Sequence, residues 1–162
     1  TFDRVMLKSG THEIPLENQL LLYRNIFQML RPGGSFINLG FLFDDVAERD
    51  EFREITRVKD QLAGLEYAVN NRHFLTHDEF YTRLYQAGFS DIYSAKSCQY
   101  TIRSAVAMDA YFSAETRESA HAALLDAQAK ALLLRQRGRI RFHGHGSTMI
   151  CPAEITVARR PA

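Results

Sequence analysis

Two short apolar runs separated by one helical stretch constrain the fold of this chain more than any other feature. The first run is Val5–Leu7, and polar residues follow it directly. A helical pattern then leads to Pro32-Gly33-Gly34 and to a second run at Ser35–Leu42. Apolar runs that alternate with a helix are typical of parallel strands covered on both faces. The sequence therefore predicts an α/β fold.

The polar residues after the first predicted strand form the first candidate site. In open sheets of this kind, ligands bind outside the carboxyl ends of the strands. That rule places Lys8, Ser9, Gly10 and His12 at a candidate binding edge.

Three motifs carry a resemblance to a known family. FDRVMLKSGTH (residues 2–12) is followed by LRPGG (30–34) and SFINLG (35–40). Together they resemble the fourth and fifth strands of class I S-adenosylmethionine-dependent methyltransferases. THDEFYTRLYQAGF (76–89) resembles the helix before that family's sixth strand.

The resemblance implies a Rossmann-like methyltransferase fold, of which this chain is the carboxyl-terminal half. The sheet is then mixed, and its last strand, Thr148–Ala158, is antiparallel. The four long strands are expected in the spatial order first, second, fourth, third. Residues 44–75 and 103–146 are expected to be helical insertions that cover the substrate. For residues 44–65 the alternative is a solvated helix with one packed face.

The resemblance also implies the reaction, which is methyl transfer from S-adenosylmethionine to a small-molecule acceptor. Lys8, Ser9 and Gly10 are the cofactor-binding candidates. His12 is the first candidate for a general base and His73 the second, because imidazole titrates near neutrality. Glu13 could pair with His12 or with a substrate amine. The alternative for His12 is a hydrogen-bonded loop residue that shapes the pocket. For Lys8 the alternative is a structural salt bridge.

The substrate-binding candidates come from two other stretches. Residues 67–75 are predicted to form a loop that contains Arg72, His73 and Phe74. His143 precedes the last strand, where a flexible rim is expected. The pair His143-x-His145 could bind a metal, but no further ligand stands at metal spacing, so no metal is predicted.

A small basic cluster follows the most strongly helical part of the chain. Its members are Arg135, Arg137, Arg139 and Arg141. Cations at a helix carboxyl end complement the helix dipole, so a solvated helix end is the preferred interpretation. A site for an anionic ligand is the alternative.

The amino-terminal end raises a different possibility. The chain starts at Thr1 directly in a predicted strand, and no glycine-rich strand-to-helix turn is found. The resemblance then implies that a missing half holds most of the cofactor site. The alternative function is a non-enzymatic binding or assembly module with a degenerate half-fold. Its open first-strand edge could support a homodimer or strand exchange.

Bulk composition excludes several classes of partner. The formal net charge is +1 and no basic run is present, so nothing indicates a nucleic-acid or membrane surface. A nicotinamide-dependent oxidoreductase is disfavoured because no Tyr-x-x-x-Lys set is found. The two cysteines lack metal-ligand spacing, and no signal peptide is visible, so a cytoplasmic location is expected.

Overall fold

A computed structural model of the chain describes residues 1–103, 112–144 and 146–162. The chain divides into two compact units. Unit 1 comprises Thr1–Asp45, Asn71–Cys98 and Pro152–Ala162. Unit 2 comprises Val46–Asn70 and Gln99–Cys151.

The strands form one mixed sheet. In chain order they are β1 (Phe2–Lys8), β2 (Leu30–Phe43), β3 (Leu75–Thr76), β4 (Ser90–Arg103), β5 (Ile140–His143) and β6 (Gly146–Arg159). The long strands lie in the order β1, β2, β6, β4. β1 is parallel to β2, and β2 is antiparallel to β6. The predicted α/β class, strand order and antiparallel last strand are therefore confirmed.

Helices separate most of these strands along the chain. They are α1 (Leu16–Met29), α2 (Val46–Leu62), α3 (Glu66–Asn71), α4 (His77–Gln86), α5 (Arg117–Lys130) and α6 (Leu132–Gln136). A short 3-10 helix, Thr11–Glu13, follows β1. None of the helices in the described ranges is both long and apolar enough to cross a membrane.

The predicted turn at Pro32-Gly33-Gly34 lies inside β2. The strand begins at Leu30, directly after α1, and the register between β1 and β2 shifts at this point. Gly33 has a φ of 75°, which a glycine adopts without steric cost. A Cβ on Gly34 would lie 3.1 Å from the carbonyl oxygen of Asp3. The two glycines therefore let the strand continue through an irregular, closely packed stretch.

The core of unit 1 lies between the sheet and the helices α1 and α4. Its buried members are Tyr23, Ile26, Leu30, Phe36, Leu42, Leu75, Phe80, Leu84, Ala87, Phe89 and Ala158. The Tyr23 and Phe80 rings meet edge to face with centroids 5.6 Å apart. Such aromatic pairs add stabilisation beyond the burial of their surface. This packing fixes β2, and with it the edge of the sheet where the candidate site lies.

The expected coverage of the strands on both faces is only partly observed. Ile37 and Leu39 of β2 are half-buried, and Met6 of β1 is 75% exposed. Phe2, at the start of β1, is 55% exposed. In the described part of the chain β1 pairs only with β2, so its outer edge carries no strand. Dimerisation or strand exchange through this edge stays a prediction.

The predicted loop over residues 67–75 is wrong in its first half. The structure forms α3 there, in which the Val69 N–H donates to the Leu65 carbonyl at 3.1 Å. The side-chain amide of Asn70 donates to the Glu66 carbonyl at 3.0 Å. Asn70 thus closes a helical turn where a loop was predicted. Residues 72–74 are irregular, as predicted.

The prediction of one long helix after Ser113 is also wrong. The helix breaks at Ala131, whose ψ is 81°, and α6 follows the break. The carboxylate of Glu51 accepts hydrogen bonds from the amides of Leu133 and Leu134, at 3.0 and 2.8 Å. An acidic side chain from α2 therefore satisfies the first amides of α6, which offsets the hydrogen bonds lost at the break.

The flexible rim expected near His143 is a β-hairpin. β5 pairs with β6 in an antiparallel register from Ile140↔Met149 to His143↔Gly146, and Gly144 has a φ of 54°. His145 lies outside the described residues. So does most of the first helical segment predicted after Arg103, which covered residues 105–112.

We expect Thr76→Ala to lower the free energy of unfolding by about 1 kcal/mol, which is typical for the loss of an N-cap. The Thr76 hydroxyl accepts from the Glu79 amide at 3.2 Å, and the Glu79 carboxylate accepts from the Thr76 amide at 2.9 Å. This is the predicted capping box. Urea unfolding followed by circular dichroism measures the loss. Thr116→Ala is the matched control because the Thr116 side chain makes no cap bond to α5. Equal losses in the two variants would contradict the prediction.

Candidate functional site at the carboxyl end of the first strand

The chain leaves β1 through a sharp turn at Ser9 and Gly10. The Ser9 amide donates to the Leu39 carbonyl at 2.7 Å, and Ser9 has a φ of 51°, in the left-handed region. Such a conformation is uncommon for a residue other than glycine and often occurs at functional sites. A Cβ on Gly10 would lie 3.0 Å from Leu7 Cδ1, so the turn is tightly packed. Lys8 is exposed beside it.

The predicted catalytic residues and one predicted substrate-binding residue meet directly after this turn. His12 Nε2 lies 3.2 Å from Glu13 Oε1. The Nη2 atom of Arg72 lies 3.0 Å from the same carboxylate oxygen. Glu13 thus bridges an imidazole and a guanidinium. A carboxylate in this position orients the imidazole and stabilises its protonated form.

Aromatic rings enclose His12 on two sides. Phe74 stacks on it with ring centroids 5.1 Å apart and an interplanar angle of 20°. Phe41 packs against it at 5.4 Å in a tilted arrangement. The His73 amide donates to the His12 carbonyl at 2.9 Å. Only 11% of the His12 side chain is exposed, so the structure holds it in a mostly covered position.

A buried polar layer supports the turn from behind. The Thr11 hydroxyl donates to the Asn38 side-chain oxygen at 3.1 Å. The side-chain amide of Gln19 donates to the carbonyls of Thr11 and Ile14, at 3.3 and 3.1 Å. A Cβ on Gly40 would lie 2.9 Å from Asn38 Nδ2, so that glycine makes room for the amide. These contacts fix the backbone on which His12 and Glu13 sit.

The enclosed space at this site is small. A cavity of about 10 Å³ lies among residues that include Thr11, His12, Asn38, Phe41 and Phe74. That volume holds about one water molecule, whereas pockets for nucleoside-sized ligands enclose roughly 300 Å³ or more. S-adenosylmethionine therefore does not fit inside the cavity. At the outer side of the turn the Lys8 side chain is exposed, and Ser9 and Gly10 are half-buried.

A second polar cluster, which the sequence interpretation missed, lies where β2 ends. His77 Nε2 lies 3.2 Å from Glu154 Oε2, and His77 Nδ1 lies 3.1 Å from the Phe43 carbonyl oxygen. The hydroxyls of Tyr81 and Thr156 donate to Glu154 Oε1, at 2.7 and 2.5 Å. Glu154 is only 4% exposed. Glu154, the one acidic residue of the last strand, was the signal that could have revealed this cluster.

The ionisation of this second cluster follows from its contacts. Burial alone would raise the pKa of Glu154, but hydrogen bonds from His77, Thr156 and Tyr81 lower it to about 2. The hydrogen bond to Glu154 raises the pKa of His77 above its ordinary value, although burial opposes this shift. Burial and the neighbouring carboxylate raise the pKa of Tyr81. Glu154 is thus a carboxylate at neutral pH, and its partners are proton donors.

The remaining predicted residues lie in unit 2. His143 is exposed on β5, and its Nε2 lies 2.8 Å from the Thr148 hydroxyl. Arg137 and Arg139 bind the fully buried carboxylate of Glu48, at 3.0 and 2.8 Å. The basic cluster is therefore neither a solvated helix end nor an anion site at these two positions, because both charges neutralise a buried acid. Among the described residues no group of three potential metal ligands occurs.

The two ranges predicted as insertions overlap unit 2 closely. That unit contains residues 46–70 and 99–151, compared with predicted insertions at 44–75 and 103–146. Their role as a cover for a substrate stays a prediction.

Comparison with known proteins gives structural matches but no sequence match. No family model and no curated protein matches the chain. A candidate methyltransferase from Bacillus halodurans aligns with a TM-score of 0.75 and 15% identity, over 99% of this chain and 70% of that one. The YcgJ protein of Bacillus subtilis aligns with a TM-score of 0.75 and 12% identity, over 100% and 65%.

A third similar structure was solved in complex with S-adenosylhomocysteine. Phosphoethanolamine N-methyltransferase 2 of Haemonchus contortus, solved with phosphomonomethylethanolamine and S-adenosylhomocysteine, aligns with a TM-score of 0.51 and 12% identity. The alignment covers 99% of this chain and 34% of that one. The chain therefore spans less than two thirds of the length of two of these three proteins. Together with the strand order and the motifs at β1, β2 and α4, these matches show that the chain has the fold of class I S-adenosylmethionine-dependent methyltransferases.

Proposed function

We propose that this chain, as part of a longer protein, functions in S-adenosylmethionine-dependent methyl transfer to a small molecule. In this proposal the chain provides the general base of the active site. The observation that supports this most is the contact of His12 with Glu13 and of Glu13 with Arg72, directly after β1. Ligands in sheets of this class bind at this end of the strands. The methyltransferase fold supplies the reaction class.

His12 acts as the general base in this proposal. It takes a proton from the oxygen or nitrogen nucleophile of the acceptor, and the electron pair left on that atom would form the new bond to the methyl carbon while the carbon–sulfur bond of the sulfonium breaks and its electron pair stays on sulfur. The Glu13 carboxylate accepts a hydrogen bond from His12 Nε2, so it orients the ring and stabilises the imidazolium. Arg72 in turn holds Glu13 from the other side.

Residues 8–10 would hold the cofactor along the outer side of the turn. When bound, S-adenosylmethionine supplies an electrophilic methyl group on a sulfonium. Lys8 is exposed there, and the compact turn of Ser9 and Gly10 lets a ligand approach the backbone closely. The protein contributes mainly proximity and orientation to such a transfer.

The acceptor would reach His12 from the side of Phe74. Because Phe74 stacks on the imidazole, an acceptor must displace this ring or slide along it. His73 and Arg72 lie in the same irregular segment, so all three would contact the acceptor on entry.

The second candidate function is a binding or assembly module without enzymatic activity. The small cavity and the covered position of His12 favour it, because a catalytic base needs access to its substrate. In this alternative His12 and Glu13 only stabilise the turn after β1.

Titration calorimetry with S-adenosylhomocysteine tests the proposal on this chain. We expect binding that weakens about fivefold or more in Lys8→Met, because a contact between a ligand and a charged group is lost. Lys96→Met is the matched control, since Lys96 is an exposed lysine on another strand, β4. Absence of binding by a folded sample would contradict cofactor binding by this chain and favour the non-enzymatic module.

A further inference from the structure

Both ring nitrogens of His77 face hydrogen-bond acceptors. Nδ1 lies 3.1 Å from the Phe43 carbonyl oxygen and 3.7 Å from Asp44 Oδ1, while Nε2 lies 3.2 Å from Glu154 Oε2. A carbonyl oxygen or a carboxylate oxygen can only accept a hydrogen bond. A neutral imidazole carries one N–H and satisfies one of these two sides. The imidazolium alone satisfies both.

The carboxylates around His77 also favour the protonated, cationic form of its ring. Glu154 comes from β6, Asp44 follows β2, and the Tyr81 ring of α4 packs edge-on against the imidazole at 6.3 Å. Glu79, in the first turn of α4, is occupied by the Thr76 amide. A cation at the first residue of a helix is opposed by the helix dipole, so the two carboxylates have to stabilise it.

The bonds of His77 lie next to the segment that covers His12. We call residues 72–76 the cover segment. Its carboxyl end pairs with the end of β2 through Leu42↔Leu75 and Phe43↔Thr76. Near its other end, the His73 amide bonds to the His12 carbonyl, and Phe74 stacks on the His12 ring. His77 follows the segment directly and joins it to the last residue of β2 and to β6.

We propose that the imidazolium of His77 is a positioning group that holds the cover segment, and with it Phe74, over His12, and that loss of its proton releases the segment. A neutral His77 keeps only one of its two bonds, so the junction between β2, β6 and α4 loosens. Access to His12 then rises with pH. This inference concerns the geometry around His12 and holds whether or not His12 transfers a proton.

The raised pKa of His77 places this release above the ordinary value of 6.5. A group whose folded-state pKa is raised contributes stability that is complete below its unfolded pKa and is lost as the pH rises through the folded pKa. The cover segment is therefore held most firmly below about pH 6.5 and is released at higher pH.

Nuclear magnetic resonance of the unmodified chain tests the proposal without any substitution. The His77 ring nitrogens should titrate together with a pKa above 6.5. Over the same pH range, the protection of the His73 amide against hydrogen exchange should fall about tenfold or more, after correction for intrinsic exchange. A neutral His77 at pH 6, or a His73 protection that does not change with pH, would overturn the proposal.

The His77→Gln variant distinguishes the proposed effect of the His77 imidazolium from general effects of pH. The variant keeps one hydrogen-bond donor but cannot carry a charge, so the His73 amide should show low protection at every pH. His121→Asn, a histidine on α5 in unit 2, is the matched control and should keep the full pH-dependent change. If His77→Gln also keeps that change, another group controls the cover segment and the proposal fails.

Discussion

Glu154→Ala is expected to lower the free energy of unfolding by about 2–4 kcal/mol at pH 6, because one partly exposed imidazolium and two hydroxyls lose their shared acceptor. The variant leaves the His77 imidazolium without its buried carboxylate. It also leaves the hydroxyls of Tyr81 and Thr156 without the acceptor that both use. Unfolding in urea, followed by circular dichroism, measures the loss.

The matched control is Glu54→Ala, which removes an exposed carboxylate bound to Arg57 at 2.6 Å on the surface of α2. Exposed pairs of this kind contribute less than about 1 kcal/mol. A Glu154→Ala loss as small as that of the control would contradict the assigned role of the buried carboxylate.

The pH dependence of the same loss gives a second, independent check. Glu154 has a lowered folded-state pKa, so its contribution is complete above its ordinary value of 4.5 and disappears as the pH falls toward about 2. His77 has a raised pKa, so its contribution is complete below 6.5 and declines above that value. The difference between the wild type and Glu154→Ala should therefore be largest between about pH 4.5 and 6.5. A difference that is constant from pH 3 to 8 would contradict this electrostatic origin.

Local signals in the sequence predicted the elements whose causes are local. Thr76 and Glu79 are three residues apart and form the predicted capping box. Gly64 and Gly138 have positive φ values just after the ends of helices, as expected for glycines that end a helix. The spatial order of the strands came from the resemblance of the motifs and not from periodicity, because periodicity says nothing about which strands are neighbours.

The elements that the sequence did not predict depend on contacts between distant residues. The break at Ala131 is accompanied by the capping of α6 by Glu51, 82 residues before Leu133. The local pattern favours a solvated helix end for Arg137 and Arg139, since it cannot show that their partner, Glu48, precedes Arg137 by 89 residues. His77 and Glu154 are similarly far apart in the chain. A sequence pattern among neighbouring residues cannot show which distant charged residues form an ion pair.

The candidate site also has features that follow from local sequence patterns and features that depend on distant contacts. The position of His12 and Glu13 after β1 follows from the local strand pattern, and the structure brings Arg72, His73 and Phe74 to them. The covered state of His12 was not predictable, since it depends on Phe41 and Phe74 from two other segments.

For the proposed methyl transfer, His12→Ala is expected to lower the turnover number by about 10²–10⁴, the usual contribution of a general base. The affinity for S-adenosylhomocysteine should change by less than about threefold, because the base acts on the acceptor. Release of S-adenosylhomocysteine with a panel of small hydroxyl and amine acceptors measures turnover, and calorimetry measures affinity.

Two further variants separate catalysis by His12 from its packing between Phe41 and Phe74. His12→Gln fills more of the space than alanine, so a turnover as low as in His12→Ala would exclude a simple cavity effect. Glu13→Gln keeps the imidazole but removes the carboxylate that stabilises its protonated form, so turnover should fall by a smaller factor, about tenfold. Unchanged turnover in His12→Ala would show that the imidazole only shapes the turn. Equal losses of turnover and of cofactor affinity would instead show that His12 supports the cofactor edge of the site, because a group that acts only on the acceptor cannot change both to the same extent.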